Sequence, residues 1–474
     1  MSTLTMKFGG TSVGSPDAIN GVVRIVAESV QQGNRVVVVV SAMAGVTDML
    51  VTAVREAALG NRWVYLSTAQ KIRDRHIEAA NLLIPPGADR NAVIAEIEAL
   101  MEQHVEICNA VSMLGESTPR INDAVFSFGE RLSSRVIAAA MRGHGLRAQQ
   151  FDASQFVITN DHFTSAVPIW EETESRIRGQ LLPLIDDGIT PVITGFVGGT
   201  RSGHFTTLGR GGSDYSGAIF AAYTDSDELV IWTDVDGVMT TDPRVDKRAR
   251  VLPSISYQEV GELAFYGAKV LHPKTVQPIL KRGIPMRVRN TFNTAHPGTL
   301  ITKVAEPINT VIKAVTSIKN VSLLTVSGQG MMGVPGIAGR TFLATAHSGT
   351  SILMISQASS EQNFCFVVPQ ERAQMVKQSV ESEMKAEIAR QDVDGVDILN
   401  DVAVVTVVGA GMRGTPGVAG RVFSTLGSQR VNVIAIAQGA SECSISFVIS
   451  ESEREQAVLA LHALALDDGE AIPI

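Results

Sequence analysis

Residues 7–12 (KFGGTS) form a short segment in which a lysine and two glycines occur together. We place this segment at the end of a strand and before a helix. Gly9 and Gly10 let the backbone approach a ligand closely, the helix N-terminus favours an anion, and Lys7 adds a positive charge. The segment predicts binding of a phosphate or carboxylate, although an ordinary strand-to-helix turn with a surface lysine explains it about equally well.

A second segment, residues 209–215 (GRGGSDY), precedes an apolar helix that we start at Ala218. Arg210 can bind a carboxylate through two parallel hydrogen bonds, and Ser213 or Asp214 can cap the helix. An arginine beside three glycines is costly to keep for turn geometry alone. We therefore favour a ligand-binding role over a capped turn.

Three further segments carry charged residues next to predicted strands or turns. Residues 233–237 (TDVDG) follow a strand, at the end where α/β sheets bind ligands, although turn formation explains the Asp-Gly pair as well. In residues 128–134 (FGERLSS) we place Glu130 in the first turn of a helix, where the helix dipole alone favours an acid. Lys269, in residues 267–273 (GAKVLHP), could reach a phosphate or remain solvated.

Composition and missing motifs argue against several classes of protein. The 474 residues include 40 Lys+Arg and 48 Asp+Glu, and the net charge of −8 argues against a nucleic-acid binder. The three cysteines have neither metal-ligand nor redox spacing, so we predict no metal site and no disulfides. No Walker A sequence, G-x-S-x-G or H-E-x-x-H occurs. We find no signal peptide or membrane span, and we expect a cytoplasmic protein that binds no membrane.

Strands and helices alternate through the first 300 residues, which predicts a doubly wound α/β domain. Ser15-Pro16 is a good start for a helix that runs to about Gln32. Residues 61–115 have helical periodicity, interrupted at 85–87, and we interpret them as a helical insertion. The predicted strands are residues 4–8, 36–40, 124–128, 191–195 and 228–232.

The rest of the chain contains an internal repeat with an offset of 81 residues. Eleven of nineteen residues are identical between 322–340 and 403–421. Each copy has the pattern strand, glycine-rich turn, helix, strand, turn, strand, helix, which predicts one small split βαβ sandwich per copy. Two copies are too few for a solenoid, so we interpret them as a tandem pair of binding modules.

Both repeats contain G-x-G-x-x-G, at Gly328-Gly330-Gly333 and at Gly409-Gly411-Gly414. This pattern is typical of dinucleotide sites. However, the strands that follow end at glutamines, where a ribose-binding acid is needed, and the copies are too short for a dinucleotide fold. We therefore interpret the glycines as tight turns and keep an NAD binder as an alternative.

Six strings together resemble the aspartate kinases of the amino-acid kinase family, and they occur in the family's order. They are KFGGTSVGS (7–15), SAMAGVTD (41–48), FGERLSS (128–134), TLGRGGSDYS (207–216), WTDVDGVMTTDPRV (232–245) and GAKVLHP (267–273). The paired repeat resembles the family's tandem ACT domains. The resemblance is strongest to the kinase half of bifunctional aspartate kinase–homoserine dehydrogenases, and since the chain ends at Ile474 we expect a monofunctional kinase.

The resemblance implies an α/β fold in which a doubly wound sheet of the amino-acid kinase type is followed by two ferredoxin-like βαββαβ ACT domains. The implied boundaries are 1–305 for the catalytic domain, with its helical insertion, and 315–395 and 396–474 for the ACT domains. The implied reaction is phosphorylation of the β-carboxylate of L-aspartate by MgATP. It yields 4-phospho-L-aspartate, the first step of lysine, threonine and methionine biosynthesis.

Roles for individual residues follow from the resemblance. The implied catalytic residues are Lys7, Arg210 and Asp214; the aspartate-binding residues are Ser41, Thr47, Glu130, Arg210 and Ser213; the nucleotide-binding residues are Lys7, Gly9, Gly10, Thr233, Asp234, Arg244 and Lys269. The substrate carboxylate is already ionised, so catalysis needs positive charge and positioning rather than a general base. We expect Mg²⁺ to be held by phosphates and water, with no evident protein ligand. Met239 stands where many relatives have an aromatic residue, so the resemblance does not predict which side chain packs against adenine.

The resemblance also implies an amino-acid effector and a homodimer or homotetramer formed through the ACT domains. In threonine-responsive relatives, glutamines at the positions of Gln357 and Gln438 bind the effector. We therefore hypothesise feedback inhibition by L-threonine, with L-lysine as the alternative effector and solvated glutamines as the alternative without one. Competing functions are a kinase for glutamate or acetylglutamate, a catalytically silent amino-acid sensor, and an NAD binder similar to homoserine dehydrogenases.

Overall fold

The computed structural model describes residues 2–267, 273–304, 311–332, 334–358 and 362–466. The chain divides into two compact units, Met1–Val238 with Leu271–Val304, and Met239–Val270 with Ala305–Ile474. The strands are β1 (Thr3–Phe8), β2 (Arg35–Val40), β3 (Ala148–Phe151), β4 (Ile158–Thr159), β5 (Thr190–Thr194), β6 (Val197–Thr200), β7 (Phe205–Thr207), β8 (Glu228–Thr233), β9 (Ser254–Ser256), β10 (Met286–Asn290), β11 (Thr299–Thr302), β12 (Ala314–Ser327), β13 (Met354–Gln357), β14 (Asn363–Pro369), β15 (Gly395–Val408), β16 (Ala435–Ala437) and β17 (Ser444–Ser450). The helices are α1 (Pro16–Gln31), α2 (Val46–Ala58), α3 (Arg62–Leu83), α4 (Ala88–Leu114), α5 (Pro119–Gly143), α6 (Trp170–Arg176), α7 (Leu182–Asp186), α8 (Gly212–Tyr223), α9 (Tyr257–Phe265), α10 (Gln277–Leu280), α11 (Ile337–His347), α12 (Ala373–Glu383), α13 (Lys385–Ala389), α14 (Val418–Ser428) and α15 (Arg454–Leu466). No helix of these residues combines the length and the apolar character needed to cross a membrane.

Strands of the first unit lie side by side in the order β3-β5-β2-β1-β8-β10-β11. All neighbours are parallel except β10 and β11, which are antiparallel. The apolar run of β2 is buried on both faces: Val36, Val38 and Val40 pack into one core, while Val37 and Val39 pack into another. A strand covered on both faces is typical of a doubly wound sheet and confirms the predicted fold class.

The chain order of this sheet reverses at β1, which has β2 on one side and β8 on the other. Such a switch point opens a crevice at the carboxyl ends of parallel strands, because the loops on the two sides of it diverge. Residues that follow β1 and β2 are therefore placed where α/β proteins bind ligands.

Helix α1 begins where the local sequence signals predict, whereas α8 begins at Gly212 rather than at Ala218. Ser15 caps α1 by accepting a hydrogen bond from the amide of Ala18, and α3 and α4 form the predicted helical insertion. The predicted strand at 124–128 is wrong, since these residues belong to α5, which Thr118 caps. The helix is buried over much of its circumference, and a short apolar run in such a helix has no amphipathic period that distinguishes it from a strand.

In the second unit, the two sequence repeats form one antiparallel sheet in the order β13-β14-β12-β15-β17-β16. The first repeat supplies β12, α11, β13, β14 and α12, and the second repeat supplies β15, α14, β16, β17 and α15. This arrangement of strands and helices agrees with the tandem modules predicted from the repeat.

The long central strands β12 and β15 each serve both modules. Ala314–Ile318 pairs with the end of β15, and after a register shift Val321–Ser327 pairs with its beginning. At the shift, Asn320 and Asp401, which are 81 residues apart, both have left-handed backbone (φ 59° and 54°). Asn and Asp tolerate this conformation better than most residues.

The hydrophobic cores show the same exchange between the modules. Ile312 and Val315 pack into the core of the second repeat, and Val396 packs into the core of the first. Each repeat therefore completes its core with residues that the sequence alignment assigns to the other repeat.

Candidate functional site

One cavity of the first unit, of about 760 Å³, brings together residues that are far apart in the sequence. Its walls come from the segments after β1 and β2, from α5, and from the turn between β7 and α8. Eight of the predicted site residues line it: Lys7, Gly10, Ser41, Thr47, Glu130, Arg210, Ser213 and Asp214. The cavity thus lies at the switch point of the sheet.

Lys7 and Asp214 form an ion pair in this cavity. Nζ of Lys7 lies 2.5 Å from Oδ1 of Asp214, and the two side chains are only 9% and 19% exposed. Lys7 belongs to β1, and Asp214 to the first turn of α8. A Cβ on Gly217 of α8 would lie 3.1 Å from the Cβ of Lys7, so helix and strand pack closely here. The base of the Lys7 side chain is therefore packed against α8, and its ammonium group is paired with Asp214.

Arg210 lies between two glycines with left-handed backbone, Gly209 (φ 77°) and Gly211 (φ 71°). Glycine adopts this conformation without the strain that other residues incur. Gly211 is the N-cap of α8 and no side chain caps the helix, so the prediction that Ser213 or Asp214 caps it is wrong. The glycines serve a tight turn that exposes Arg210 at the cavity, where its guanidinium can bind an anion.

Glu130 lies in the middle of α5, not in the first turn of a helix as predicted. A Cβ on Gly129 would lie 2.7 Å from the Cβ of Ala42, so this glycine lets α5 pack closely against the segment after β2. The hydroxyl of Ser133 donates to the Ser41 carbonyl (2.8 Å) and joins the same two elements. This contact places Glu130 at the cavity wall with 3% of its surface exposed.

The carboxyl of Glu130 has an unusual electrostatic environment. Its Oε2 is buried and has no hydrogen-bond partner among the described residues. Burial raises the pKa of Glu130 from its ordinary value of 4.5 to about 8, against the lowering effects of a hydrogen bond from the Ala42 backbone and of the Lys7 charge. A cationic ligand in the cavity would favour the ionised form of this acid.

The segments after β1 and β2 are fastened to each other and to α3. The amide of Ala44 donates to the Gly10 carbonyl (3.0 Å). The guanidinium of Arg75, on α3, donates to the carbonyls of Ala44 (2.7 Å) and Gly14 (2.5 Å). These contacts hold the backbone that carries Ser41 in a fixed position at the cavity.

The amide of Gly9 is already engaged, because it donates to the carbonyl of Trp232 (3.0 Å). The same carbonyl accepts a hydrogen bond from the Ser12 hydroxyl (3.2 Å). The Gly9 amide is thus occupied in this structure, and the nucleotide contact of Gly9 stays a prediction. Gly10, which lines the cavity, is the better candidate.

Of the predicted nucleotide-binding residues, Lys7 and Gly10 line this cavity, whereas Thr233, Asp234 and Arg244 do not. The hydroxyl of Thr233 donates to Asp234 (3.2 Å), and neither residue lines it. Arg244 belongs to the second unit and is ion-paired with Asp242 (2.6 Å). Lys269 lies outside the described residues. The nucleotide contacts of these residues stay predictions.

Thr164, Phe196 and Thr207 line the cavity and were missed by the sequence analysis. Thr164 (φ 69°) and Phe196 (φ 63°) both have left-handed backbone, which is uncommon for residues other than glycine. Such strained residues cluster at functional sites. No sequence pattern marks them, because neither residue type favours this conformation.

A smaller cavity of about 360 Å³ lies in the first ACT-like module of the second unit. It is lined by Gln357, at the end of β13, together with Phe364 of β14 and the start of α11. Gln438 follows β16 in the second module and is exposed. The structure therefore places one of the two predicted effector-binding glutamines at a cavity.

The glycine-rich turns of the two modules have a structural explanation. A Cβ on Gly328 would lie 2.2 Å from the carbonyl oxygen of Asp392, and one on Gly409 would lie 2.2 Å from that of Val311. Each glycine thus allows a close approach of two backbone segments. This explanation requires no dinucleotide, and Gly333 lies outside the described residues.

Comparison with known proteins shows the family of this chain. The profile of the "Amino acid kinase family" matches residues 2–290. The chain belongs to the amino acid kinase family. The ACT domain profile matches residues 324–384 and 405–464 of this amino acid kinase, which confirms the family resemblance and the nature of the two repeats.

Relatives of this amino acid kinase include aspartokinases. It is similar to "Aspartokinase 1, chloroplastic" of Arabidopsis thaliana, at 32% identity over 99% of this chain and 81% of that protein. It is also similar to "Bifunctional aspartokinase/homoserine dehydrogenase 1, chloroplastic" of Zea mays, at 34% identity over 96% of this chain and 50% of that protein. The chain therefore spans about half the length of the bifunctional relatives that it matches.

Solved structures show the same architecture. The amino acid kinase described here is similar to E. coli aspartokinase III in complex with aspartate and ADP, with a TM-score of 0.82, 30% identity and coverage of 98% of this chain and 100% of that chain. It is also similar to the same E. coli enzyme in complex with lysine and aspartate, with a TM-score of 0.78 and the same identity and coverage.

Proposed function

We propose that this chain is an aspartate kinase that transfers the γ-phosphoryl group of ATP to the β-carboxylate of L-aspartate. One observation carries the proposal: a single cavity holds a buried acid whose Oε2 has no partner among the described residues, an exposed arginine and a buried lysine. These three groups match the ammonium, the α-carboxylate and the phosphoryl group that such a reaction brings together. The aspartate and ADP bound by E. coli aspartokinase III support the assignment.

Glu130 and Arg210 would bind the two charged groups on the α-carbon of aspartate. The Glu130 carboxylate accepts hydrogen bonds from the ammonium group, and the Arg210 guanidinium donates two hydrogen bonds to the α-carboxylate. Ser41, Thr47 and Ser213 line the same cavity and would donate hydrogen bonds to the substrate. With both ends of the α-carbon held, the β-carboxylate can point towards Lys7.

Lys7 would stabilise the transferring phosphoryl group. The nucleophile is an anion and so is the phosphoryl donor, so the barrier comes largely from charge repulsion and from alignment of the reacting atoms. Lys7 supplies positive charge between them, and the amide of Gly10 can donate to a phosphoryl oxygen. Asp214 holds the ammonium of Lys7 in place. The β-carboxylate oxygen forms the new P–O bond, and ADP leaves with the electrons of the bond that breaks.

ATP would bring its magnesium ion with it. The described residues hold no cluster of three or more His, Cys, Asp or Glu side chains suited to a metal ion. Mg²⁺ retains water readily and is commonly bound through substrate phosphates, so we expect the ion to enter with the nucleotide. The ion neutralises phosphate charge when bound. Thr233, Asp234, Arg244 and Lys269 remain the proposed nucleotide contacts.

The activity is tested by incubating the full chain with MgATP, hydroxylamine and one amino acid at a time. Hydroxylamine traps an acyl phosphate as a hydroxamate, so we expect hydroxamate and ADP with L-aspartate only. Hydroxamate with L-glutamate or N-acetyl-L-glutamate instead would assign another member of the family. Folded protein that forms none with any of these would point to an amino-acid sensor.

We further propose that L-threonine is a feedback inhibitor that binds beside Gln357. An amide both donates and accepts hydrogen bonds, which suits a hydroxyl or a zwitterion. The described residues that line the smaller cavity are apolar or neutral, so they offer no acidic partner for the side-chain ammonium of lysine. Lysine is still the alternative effector, because E. coli aspartokinase III binds it.

Replacing Gln357 by alanine is expected to weaken threonine binding about tenfold or more, because two hydrogen bonds to a zwitterion are lost. The measurement is isothermal titration of L-threonine and L-lysine into wild type and variant. Gln370→Ala is the matched control, since Gln370 follows β14 outside this cavity. If titration of L-lysine released or absorbed heat and titration of L-threonine did not, the effector would be lysine rather than threonine.

We also propose a homodimer or homotetramer that forms through the ACT modules. Several large apolar side chains on or beside strands of this unit are 39–47% exposed: Ile355, Leu399, Ile434 and Ile436. Such a group of exposed apolar residues is suited to an interface. Light scattering of the full chain should give the mass of two or four copies, and a monomer at all concentrations would contradict the proposal.

A further inference from the structure

Asp123 is a buried acid of α5 that precedes Glu130 by seven residues, or two helical turns. None of its surface is exposed. Its Oδ2 accepts hydrogen bonds from the amides of Thr164 (2.8 Å) and Thr207 (3.0 Å), and its Oδ1 accepts one from the Thr207 hydroxyl (2.6 Å). All three donors lie outside the helix, so Asp123 joins α5 to two other segments.

The first of these segments contains Thr164, whose left-handed backbone is unusual for a β-branched residue. Such a conformation persists only where surrounding contacts impose it. The hydrogen bond from the Thr164 amide to Asp123 is one such contact, and the bond from the Ala166 amide to the Thr207 carbonyl (2.9 Å) is another. Asp123 therefore helps to fix a strained residue of the cavity wall.

The second segment begins with Thr207, at the end of β7, and leads directly into the turn that carries Arg210. Asp123 holds Thr207 by both its amide and its hydroxyl. The amide of the next residue, Leu208, donates to the Phe196 carbonyl (2.9 Å). The start of the Arg210 turn is thus fixed on two sides.

We propose that Asp123 is a positioning residue that sets the separation between Glu130 and Arg210. The inference rests on the proposed function, in which these two residues bind the ammonium and the carboxylate of one small substrate. Both charged groups sit on the same carbon atom of aspartate, so a small displacement of the Arg210 turn relative to α5 would break one of the two contacts. Asp123 connects the helix that carries Glu130 to the strand that leads to Arg210 by two hydrogen bonds to Thr207, and Arg131 of the same helix stacks on Phe205 of that strand.

The test compares Asp123→Ala with Asp123→Asn. Alanine removes all three hydrogen bonds. Asparagine can retain them, because its amide oxygen accepts from both backbone amides while its NH₂ donates to the Thr207 hydroxyl. We expect Asp123→Ala to raise the KM for aspartate at least about tenfold, with the KM for ATP within about twofold of wild type. Asp123→Asn is expected to restore the KM for aspartate to within about threefold of wild type. Asp161→Ala is the matched control, since Asp161 is exposed in the same loop as Thr164.

Hydrogen exchange provides a readout that does not depend on turnover. Asp123→Ala should speed exchange in residues 164–166 and 207–211, and Asp123→Asn should not. If Asp123→Ala fails to fold, Thr207→Val, which removes only the hydroxyl hydrogen bond, is expected to give a smaller shift in the same direction. Wild type without kinase activity would refute the proposed function, and the exchange data alone would then decide the role of Asp123.

Two results would overturn the inference. One is a folded Asp123→Ala variant with unchanged exchange in these segments and unchanged KM for aspartate. The other is an equal loss in Asp123→Ala and Asp123→Asn, because that would place the effect in the negative charge rather than in the hydrogen bonds.

Discussion

Replacing Lys7 by methionine is expected to lower kcat by at least about a thousandfold while the protein stays folded. Methionine keeps most of the length of the side chain but removes the charge that faces the cavity. Lys7 is 7% exposed, so bulk water supplies little alternative screening of the phosphoryl charge. The measurement is kcat from ADP release with saturating aspartate and MgATP, together with thermal unfolding of both proteins.

Two control variants separate this catalytic role from side effects. Lys71→Met removes an exposed lysine of α3 and is expected to leave kcat unchanged. The double variant Lys7→Met/Asp214→Asn removes the unpaired charge that the single change leaves on Asp214, and we expect it to remain inactive. A folded Lys7→Met protein with near-full activity would remove Lys7 from the mechanism.

The second large effect concerns Glu130 and pH. With its pKa raised to about 8, Glu130 is mostly protonated in the free enzyme at neutral pH, and only the ionised form can pair with the substrate ammonium. We therefore expect kcat/KM for aspartate to rise with pH, by up to about tenfold per unit, and to level off above about pH 8. Initial rates at low aspartate between pH 6 and 9 measure this profile.

The Glu130→Gln variant should raise the KM for aspartate by roughly tenfold to a hundredfold, the cost of a hydrogen bond to a charged group. It should also lose the rise with pH, because no titrating acid remains at this position. Glu116→Gln, an exposed change near the end of α4, is the control. A variant that keeps the wild-type KM and pH profile would show that Glu130 does not bind the ammonium.

The same pKa has a consequence for stability with a definite sign. The folded-state pKa of Glu130 lies above the ordinary value of 4.5, so the folded protein binds this proton more tightly than the unfolded chain does. The contribution of Glu130 to the free energy of unfolding is present at low pH and declines as the pH rises from 4.5 through 8. An acid that serves the substrate in this way weakens the unliganded fold at neutral and alkaline pH.

Local signals in the sequence were enough to predict much of the first unit. The apolar run of β2 and the Ser15-Pro16 helix start depend on neighbouring residues, and both predictions are confirmed. The six strings that resemble the aspartate kinases also contain eight residues that the fold brings to one cavity. Residue types alone indicated Lys7 and Arg210, whose charges suit an anionic ligand, whereas Ser41 and Thr47 follow only from the family resemblance.

Features that depend on tertiary contacts could not be predicted in this way. The placement of Glu130 was wrong because Gly129 serves a helix-to-loop contact with Ala42, and a glycine needed for close packing looks like a glycine needed for a turn. Thr164 was missed because its left-handed backbone depends on tertiary contacts, among them the hydrogen bond to Asp123, a residue 41 positions away. Had residues 119–143 been assigned to one helix, the seven-residue spacing of Asp123 and Glu130 would have placed both on the same face.

Each repeat shares its long strand, β12 or β15, with the other repeat, and this sharing bears on how the second unit folds during translation. The first repeat lacks Val396 and its neighbours when it leaves the ribosome, so it cannot close its core until the chain beyond residue 395 has been made. The second repeat needs Ile312 and Val315 for its core, so these residues must remain unpacked while about 90 further residues are synthesised. The two repeats are therefore one cooperative folding unit, and cutting the chain at the apparent sequence boundary would leave two incomplete halves rather than two domains.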